Sequence, residues 1–557
     1  MTDDQPSDEP ISRAELDVYA GRWVAMAAGR VAGVGETALA AENLGRRNRI
    51  GDKLEVTFVE LSEGALLRRH DLIDRLAVIF RGHDQPVFLV GGSVRDMLLG
   101  RSCKDLDFAV PERAISLAYK VADYLQVPVF VLDRERDTGR VIILDEGMTL
   151  DFAGFRGQDI EADLKARDFT INSIALPIAA QRSSSLIDPC HGRRDLEGEI
   201  IRQTHENSIT DDPVRAMRAL RFAQQMNFSI EASTSTAIRE SGPLLSQVSV
   251  ERIRDELILL LGGDFPDQAL QVLYSHALLP FVLPEIAALA DVAQSTPHRE
   301  SFLPHTISVL SSLRVVESVL LDGIIANGPA SSSIERDLGR YRESLREHFS
   351  RPIQGPVNGR LLLRLGAVFH DSGKKKTKSV EEDGRIRFFG HEKVGARIAA
   401  SRLRKLHFSK QAVDHIHDVV LGHMRPLNLA NEKSVTRRAS YRFFKKSGSA
   451  GLDIGLLSIA DYLATHGGTG DEGNWTRLLE VIDQLFDRYF NHFEETIQPA
   501  PLVNGKELMQ EFELEPGPAV GRLLRMIEEA QAAGDISSVE EAKSFAKQVL
   551  ASETHKK

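Results

Sequence analysis

Cysteine is almost absent: Cys103 and Cys190 are the whole complement of this 557-residue chain. Two thiols build neither a disulfide framework nor a four-thiolate zinc site. Their scarcity suits a reducing compartment, so the expected localisation is cytoplasmic. Long apolar runs are missing too: none reaches the roughly 20 residues of a bilayer-spanning helix. No signal-peptide pattern opens the sequence, and no internal repeat is found. Positive charge is in deficit. Lys and Arg number 69 against 80 Asp and Glu, a formal net charge of −11. That balance argues against bulk binding of a polyanion but leaves room for a local basic groove.

What is present is ordinary soluble-protein composition, 42% hydrophobic and 27% charged. The length exceeds what one core supports, so two to four domains are expected. The start, MTDDQPSDEP, reads as a frayed acidic tail, and residues 1–75 as a small accessory extension. Within it RWVAMAAGRVAGVGET suggests two short strands about a Gly turn, then a helix over Ala38 to Leu44. Residues 76–200 alternate helical and strand-like segments (LIDRLAVIF, PVFLV, VRDMLLG, DLDFAV, RAISLAYKVADYL, VPVFVLD, RVIILD, LDFAGF), an α/β unit around one sheet. Apolar residues then recur at three- and four-residue steps through a helical neck, 201–290, and a helical body, 291–466. Polar loops are expected in the body at GPASSS and SRPIQGPVNG. HGGTGDEGN breaks the pattern, and a helical tail, 467–557, follows. The expected architecture is a mixed α/β head with an all-α neck, body and tail.

The segment FLVGGSVRDMLLGRSCKDLDFAV places Asp105 and Asp107 on one strand. Side chains alternate faces, so both acids point the same way while Leu106 faces the core. Two neighbouring carboxylates repel and raise each other's pKa, a penalty that a divalent cation removes. Alone, the pair reads as well as two solvated acids on an edge strand. Gly91 and Gly92, between strand and helix, would let a phosphate approach the backbone. Arg95 lies one turn into that helix, either near the phosphates or in a salt bridge with Asp96 or Asp107. Asp151, on the later strand LDFAGF, adds a third acid. Three acids beside a glycine turn suggest phosphoryl or nucleotidyl transfer with magnesium.

VGGSVRDMLLG followed by KDLDFAV resembles the head of the class II nucleotidyltransferases, the bacterial-type tRNA CCA-adding enzymes and bacterial poly(A) polymerases. The likeness continues in order through ARDFTINSIAL, LIDPCHGRRDLEGEIIR and DDPVRAMRALRF, covering residues 85–260. It implies a polymerase-beta-like nucleotidyltransferase head, with CTP, ATP and tRNA as partners and Mg2+ on Asp105 and Asp107.

In DDPVRAMRALRF, Arg215, Arg218 and Arg221 recur every three residues, with Asp212 one turn before Arg215. Read alone, this is a self-neutralising, solvated helix face. A sharper chemistry is available. Cytosine and adenine each show an amine beside a bare ring nitrogen. A carboxylate accepts from the amine while a guanidinium donates to the nitrogen, and uracil and guanine invert that pattern. The resemblance gives this role to Asp212 and Arg215, and puts Arg218, Arg221 and Arg167 of ARDFTIN at the nucleotide. Two departures from the family pattern stand out: Asp211 where Glu is frequent, and Ala166 where relatives carry a first Arg.

A second group lies in the body. RLLLRLGAVFHDSGKKK puts Leu361, Leu365, Val368 and Phe369 on one helical face, followed by His370 and Asp371. His305, His391, His423 and Asp461 come from other helical segments, and such a set is a metal-site composition. It resembles the HD phosphohydrolase domain. The resemblance gives the core metal pattern to His305, His370, Asp371 and Asp461, and added second-metal ligands to His391 and His423. The metal's identity is left open, and KKKTK is expected as a solvated loop.

The function expected is template-independent addition of CCA from CTP and ATP to the 3′ end of tRNA, with HD phosphohydrolase activity alongside. The alternatives are poly(A) polymerase, CC-only or A-only addition, and, from another class, a metal-dependent phosphohydrolase whose head only binds nucleotide. The acidic pI of 5.9 disfavours the polymerase, whose relatives are often basic.

Overall fold

The computed structural model describes residues 23–27, 30–35, 38–48, 53–59, 71–101, 103–178, 186–290, 301–382, 385–432 and 434–554. The acidic tail expected at the start lies outside them. The chain forms two compact units, 1–237 and 238–557.

In the first unit, strands β1 (Trp23–Ala27), β2 (Arg30–Gly35) and β3 (Leu54–Phe58) make a small antiparallel sheet in the order β2-β1-β3. Helix α1 (Ala38–Asn48) packs on it. The first two strands and the helix follow the sequence pattern. The third, Leu54–Phe58, is not anticipated from the sequence.

The main sheet uses β4 (Phe88–Val90), β5 (Asp105–Val110), β6 (Val129–Asp133), β7 (Thr138–Ile143), β8 (Met148–Gly154) and β9 (Ala175–Pro177). Their order is β6-β7-β8-β5-β4-β9. Only β5 and β8 run parallel; the other neighbours are antiparallel. Alternation on β5 sends Leu106, Phe108 and Val110 into the core, each at most 1% exposed. Phe108 stacks on Phe152 of β8 at 4.9 Å, and Phe80 of helix α2 (Asp71–Arg81) closes over Phe108 at 5.3 Å. Burying a Phe side chain is worth about 2–3 kcal/mol, so this stack fixes the β5 register. Helix α3 (Gly92–Leu98) follows β4, and α4 (Ala114–Leu125) covers β7 and β8. A Cβ on Gly139 would lie 2.9 Å from the Ala118 methyl, which is how α4 seats so closely. The opposite face carries Asp105, Asp107, Asp151 and Arg140 beside a second apolar cluster of Phe88, Val90, Ala109, Leu164 and Ala175. Helix α5 (Val214–Met226), which carries the three arginines, belongs to this same unit.

The second unit is helical. Its core uses α6 (Val250–Gly262), α7 (Phe302–Glu317), α8 (Gly359–Phe369), α9 (His391–Lys405), α10 (Lys410–Gly422), α11 (Arg425–Ala430), α12 (Arg437–Ser447), α13 (Ala450–His466) and α14 (Glu472–Asn491). Helix α8 is buried all round, not on one face: every residue from Leu361 to Phe369 is inside. One of these, Arg364, donates to Glu317 and to the carbonyls of Leu261 and Gly263, which binds α6, α7 and α8 together. Helix α15 (Pro518–Ala533) and its neighbours close a separate apolar core around Leu508, Leu523 and Ile527.

Two expectations are corrected. GPASSS is the start of a helix, Pro329–Leu338. Proline at the first turn lacks only an N–H that has no partner there, and Ser333 bonds back to the Pro329 carbonyl. SRPIQGPVNG contains a two-stranded hairpin, Pro352–Gln354 with Val357–Asn358. Among the described residues no helix is long and apolar enough to cross a membrane.

Candidate active site and a buried histidine–aspartate cluster

In the head, register decides which acids meet. Asp107 pairs with Asp151 across β5 and β8, and Asp151 pairs with Arg140 across β8 and β7. Arg140 donates from Nε and Nη2 to the two Asp151 oxygens at 2.7 and 2.6 Å. The third acid is therefore present but neutralised. Asp105 accepts from the Thr149 hydroxyl. The Asp107 carboxyl is pushed up to about 6, first by burial and then by Asp151, against the pull of Arg167.

The glycine turn is as the sequence implies. Gly91 has φ 72°, and a Cβ there would come within 2.9 Å of Arg167 Nη1 and 3.6 Å of Asp107 Oδ2. Any side chain would be strained and would intrude between the acids and Arg167. The adjoining Ser93 went unnoticed in the sequence. Its hydroxyl donates to the Asp105 carbonyl at 3.1 Å and accepts from the Asp107 amide at 2.8 Å, pinning the strand that carries both acids. A Gly92 Cβ would lie 3.5 Å from Arg95 Nη2.

Each arginine is held by a partner. Arg95 grips Asp96 and donates to Asn172 at 2.7 Å, so its salt bridge is to Asp96 and not Asp107. Arg167 is anchored by buried Asp163 at 2.9 Å. Arg218 pairs with buried Asp168 at 3.1 Å. Burial works against the Asp168 carboxylate, but Arg218 and hydrogen bonds from Asn172 and the Phe169 amide outweigh it and hold its pKa below the usual range. Arg215 donates to the carbonyls of Ala166 and Arg167 and to Ser208, leaving Nε facing Asp212 at 3.9 Å. Phe222 of α5 is a common platform: the guanidinium carbons of Arg95, Arg218 and Arg221 lie 4.9, 5.7 and 4.3 Å from its ring. A lone Phe in an arginine-rich helix gave no signal in the sequence.

An unbroken path thus joins the acids to the arginine helix: Asp107, Gly91, Arg167, Arg215. Such a face can hold a cation on Asp105 and Asp107, seat a polyphosphate against the glycine turn and arginines, and present the Asp212 edge to a base.

In the helical unit the six expected residues converge. His305, His370 and Asp371 form one group, and Asp371, His391 and His423 another, with ligand atoms within 4.8 Å of one another in each. Asp371 is shared. Its Oδ2 lies 3.3 Å from His370 Nε2 and 3.8 Å from His305 Nε2, while Oδ1 lies 3.6 Å from His391 Nε2 and 3.9 Å from His423 Nε2. Asp461 joins the first group at 3.1 Å from His305. The Nδ1 atoms of His370, His391 and His423 reach the carbonyls of Ala367, Phe388 and Val420 at 2.7, 2.9 and 2.7 Å, which turns each Nε2 inward. Burial, then His370, pushes His423 down to about 3; burial likewise lowers His391. Both rings are therefore neutral at ordinary pH, the form that ligates metal. The Asp371 and Asp461 carboxylates stay ionised despite burial, because the surrounding histidines and, for Asp371, Lys374 outweigh it. His370 Nε2 is buried without a well-directed hydrogen bond. Imidazole and carboxylate donors in this arrangement fit one or two divalent transition metals.

The expectation of a solvated KKKTK loop is corrected here. Lys374 is buried on a one-turn helix, 2.7 Å from Asp371, with its ammonium near the Phe302 and Phe388 rings; Lys375 and Lys376 are exposed.

Comparison with known proteins gives three family matches in chain order. Residues 87–202 match the poly A polymerase head domain, 227–289 an RNA- and SrmB-binding site of polymerase A, and 391–543 tRNA nucleotidyltransferase domain 2. The A-adding tRNA nucleotidyltransferase of Deinococcus radiodurans is 30% identical over 465 residues, 82% of this chain and 94% of that protein. The CC-adding tRNA nucleotidyltransferase of Thermus thermophilus is 30% identical over 469 residues, 83% and 93% of the two chains. An apo CCA-adding enzyme structure superposes with TM-score 0.57 at 21% identity, covering 88% of this chain and 97% of that one. The Thermotoga maritima CCA-adding enzyme bound to tRNA gives TM-score 0.51 at 22% identity, covering 87% and 97%. At that identity the structural likeness establishes the fold.

Proposed function

On the premise that this chain belongs to the class II tRNA nucleotidyltransferases, we propose that it extends the 3′ end of tRNA with C, C and A, drawing on CTP and ATP without a template. The observation that carries this reading is the continuous path from Asp107 through Gly91 and Arg167 to Arg215. It supports reading Asp105 and Asp107 as a cation-binding pair beside Asp212 and Arg215 as a base-selecting pair.

Asp105 and Asp107 would hold Mg2+, which when bound neutralises the triphosphate and activates the attacking 3′-hydroxyl. Ser93 and Thr149 fix where the two carboxylates point. Gly91 and Gly92 leave the triphosphate room against the backbone, and Arg95, Arg167, Arg218 and Arg221 supply positive charge for its oxygens. Asp212 accepts from the base amine and Arg215 donates to the ring nitrogen. Asp151 contributes charge beside Asp107 while Arg140 occupies its oxygens. Among domain boundaries we favour an extension to 75, a head to 200, a neck to 290, a body to 466 and a tail beyond. The two free cysteines, Cys103 and Cys190, suit the cytoplasm.

A second reading of specificity follows from the relatives. The two curated relatives compared above are named for A addition and for CC addition. Incubating the protein with tRNA ending before C, before the second C or before A, with CTP or ATP singly, separates full CCA addition from either half. Tails of many A residues would indicate a poly(A) polymerase.

For the buried cluster we propose an HD-type, metal-dependent phosphohydrolase site. Asp371 joins two half-sites, and Lys374, 2.7 Å from it, adds positive charge beside that carboxylate. Hydrolysis of phosphomonoesters and cyclic phosphodiesters, with and without Asp371→Ala, tests it; no turnover with any divalent metal would remove it.

A further inference from the structure

Strand register carries the row of charged residues in the head past Asp151 to the rim of the main sheet. Asp107 pairs with Asp151, Asp151 with Arg140, and Arg140 with Phe130 of β6. Residues paired across adjacent strands share a face, so Phe130 stands on the face that carries the acids. The neighbouring position agrees. A Cβ on Gly139 would meet the Ala118 methyl of α4, so Arg140, next along β7, points away from that helix. β6 is the last strand of the sheet. With strands about 4.8 Å apart, Phe130 lies three strands, or about 14 Å, from Asp107. Phe130 is 52% exposed, and Leu132 on the same strand is 50% exposed.

A single apolar side chain at a surface is ordinary, but an exposed aromatic on the last strand of a sheet invites wrong pairing and is usually avoided. This one lies in line with the Asp105–Asp107 pair. The charges around it narrow what fits. The turn after β6 carries Asp133, Glu135 and Asp137 against Arg134 and Arg136, so the rim is not basic. Asp133 holds the amides of Glu135 and Arg136, and Asp137 those of Ala114 and Ile115. Arg140, the one cation of the row, has its guanidinium on both Asp151 oxygens. A phosphate finds no surplus positive charge there. What the rim offers is an aromatic face, and an unstacked base is the group that suits it. The base of the incoming nucleotide is read at Asp212 and Arg215 in the reading above, so the base at Phe130 belongs to the RNA.

We infer that Phe130 is a stacking platform for the base of a nucleotide near the RNA's 3′ end, which aims the 3′-hydroxyl at Asp105 and Asp107. Stacking suits this task. The last base of the RNA changes with each nucleotide added, and an aromatic face accepts any base, whereas a hydrogen-bonding contact would have to match each one. The inference rests on the reading of the chain as a tRNA-extending enzyme and adds to it a residue of the head that orients the acceptor end.

The test is steady-state extension of shortened tRNA by the full-length protein and its Phe130→Ala, Phe130→Leu and Phe130→Trp variants. Phe130 is half exposed, so all four should melt at the same temperature. The Ala and Leu variants should lose about tenfold in kcat/KM for the RNA, and the Trp variant should keep the wild-type value. Leu retains the apolar bulk without the aromatic face, which separates stacking from packing. KM for CTP and ATP should not move, and the tenfold ratio should hold across a salt series because the contact carries no charge. RNAs made abasic at each of their last three nucleotides in turn supply the second arm. At one position the wild type should fall about tenfold and Phe130→Ala should lose nothing more. Equal kcat/KM in Phe130→Ala and wild type would overturn the inference. So would a Leu variant that matches wild type, or a Phe130→Ala loss of the same size on every abasic RNA. A change confined to KM for CTP or ATP would also overturn it, by placing the ring at the incoming nucleotide. Wild-type protein that extends no shortened tRNA would overturn the functional reading itself, a result distinct from a wild type that works and variants that match it.

Discussion

Arg140 and Asp151 face each other across β7 and β8 and share a two-pronged ion pair, with both carboxylate oxygens engaged. Asp107 stands directly opposite Asp151 on the other side. The row Asp107–Asp151–Arg140 therefore balances one of its two negative charges internally. Replacing Arg140 with Ala should leave Asp151 uncompensated beside Asp107. Binding of Mn2+ at the Asp105–Asp107 pair, followed by electron paramagnetic resonance and referenced to the Asp105→Asn/Asp107→Asn variant, should tighten by roughly threefold to tenfold. Arg140→Lys should restore most of the difference. Unaltered cation affinity would reduce the pair to a structural strut.

Asp107 has a pKa raised to about 6 by burial and by Asp151. A carboxyl that is harder to ionise in the folded state than in the unfolded one favours folding below its unfolded pKa and loses that contribution as pH rises through the folded value. The window is therefore about pH 4 to 6, and the cost above it is roughly 2–3 kcal/mol. Without added divalent metal, Asp107→Asn should raise the melting temperature at pH 7.5 and make no difference near pH 3.5. It should also abolish nucleotide addition. Equal melting at both pH values would show that the acid is unstrained.

Arg215 is locked to the Ala166 and Arg167 carbonyls, so Asp212 is the more separable half of the base-reading pair. Asp212→Ala should raise misincorporation of UTP and GTP relative to CTP and ATP by roughly a hundredfold, read as the ratio of kcat/KM values. A uniform loss with all four nucleotides would place Asp212 outside base selection.

Arg364 and Glu317 are both buried, and Arg364 also caps the carbonyls at the end of α6. Removing one partner strands the other. Arg364→Met should destabilise the helical unit by about 3–5 kcal/mol in denaturant unfolding. A loss below about 1 kcal/mol would contradict the described network.

Asp371 is the residue common to both halves of the buried cluster. Metal analysis of the purified protein should show both equivalents lost in Asp371→Ala and one lost in His423→Ala. Equal losses in the two variants would mean a single metal.

The sequence exposed those parts of the sites in which chemistry and spacing coincide. Asp105 and Asp107 differ by two on a strand, and Asp212, Arg215, Arg218 and Arg221 by threes along a helix, so periodicity alone aligns them. The histidines of the cluster were visible by residue type. Ser93, Thr149, Arg140 and Asn172 were not. Each is an ordinary polar residue whose role arises from strand register or from a turn folding back, which no local window contains. Lys374 was misread because a run of lysines normally faces water, and only the proximity of Asp371 makes its burial tolerable. The helix at GPASSS was hidden by its own composition, since Pro and Ser begin helices as readily as they form loops.

The central claim is tested most directly by supplying tRNA that lacks its three terminal nucleotides, with labelled CTP and ATP, to the wild-type protein and to the Asp105→Ala/Asp107→Ala variant. The account predicts growth of the RNA by three nucleotides, C, C and A, then a stop, and no growth with the variant. Growth that survives loss of both acids, or a wild-type protein that adds nothing to the shortened tRNA, would contradict it.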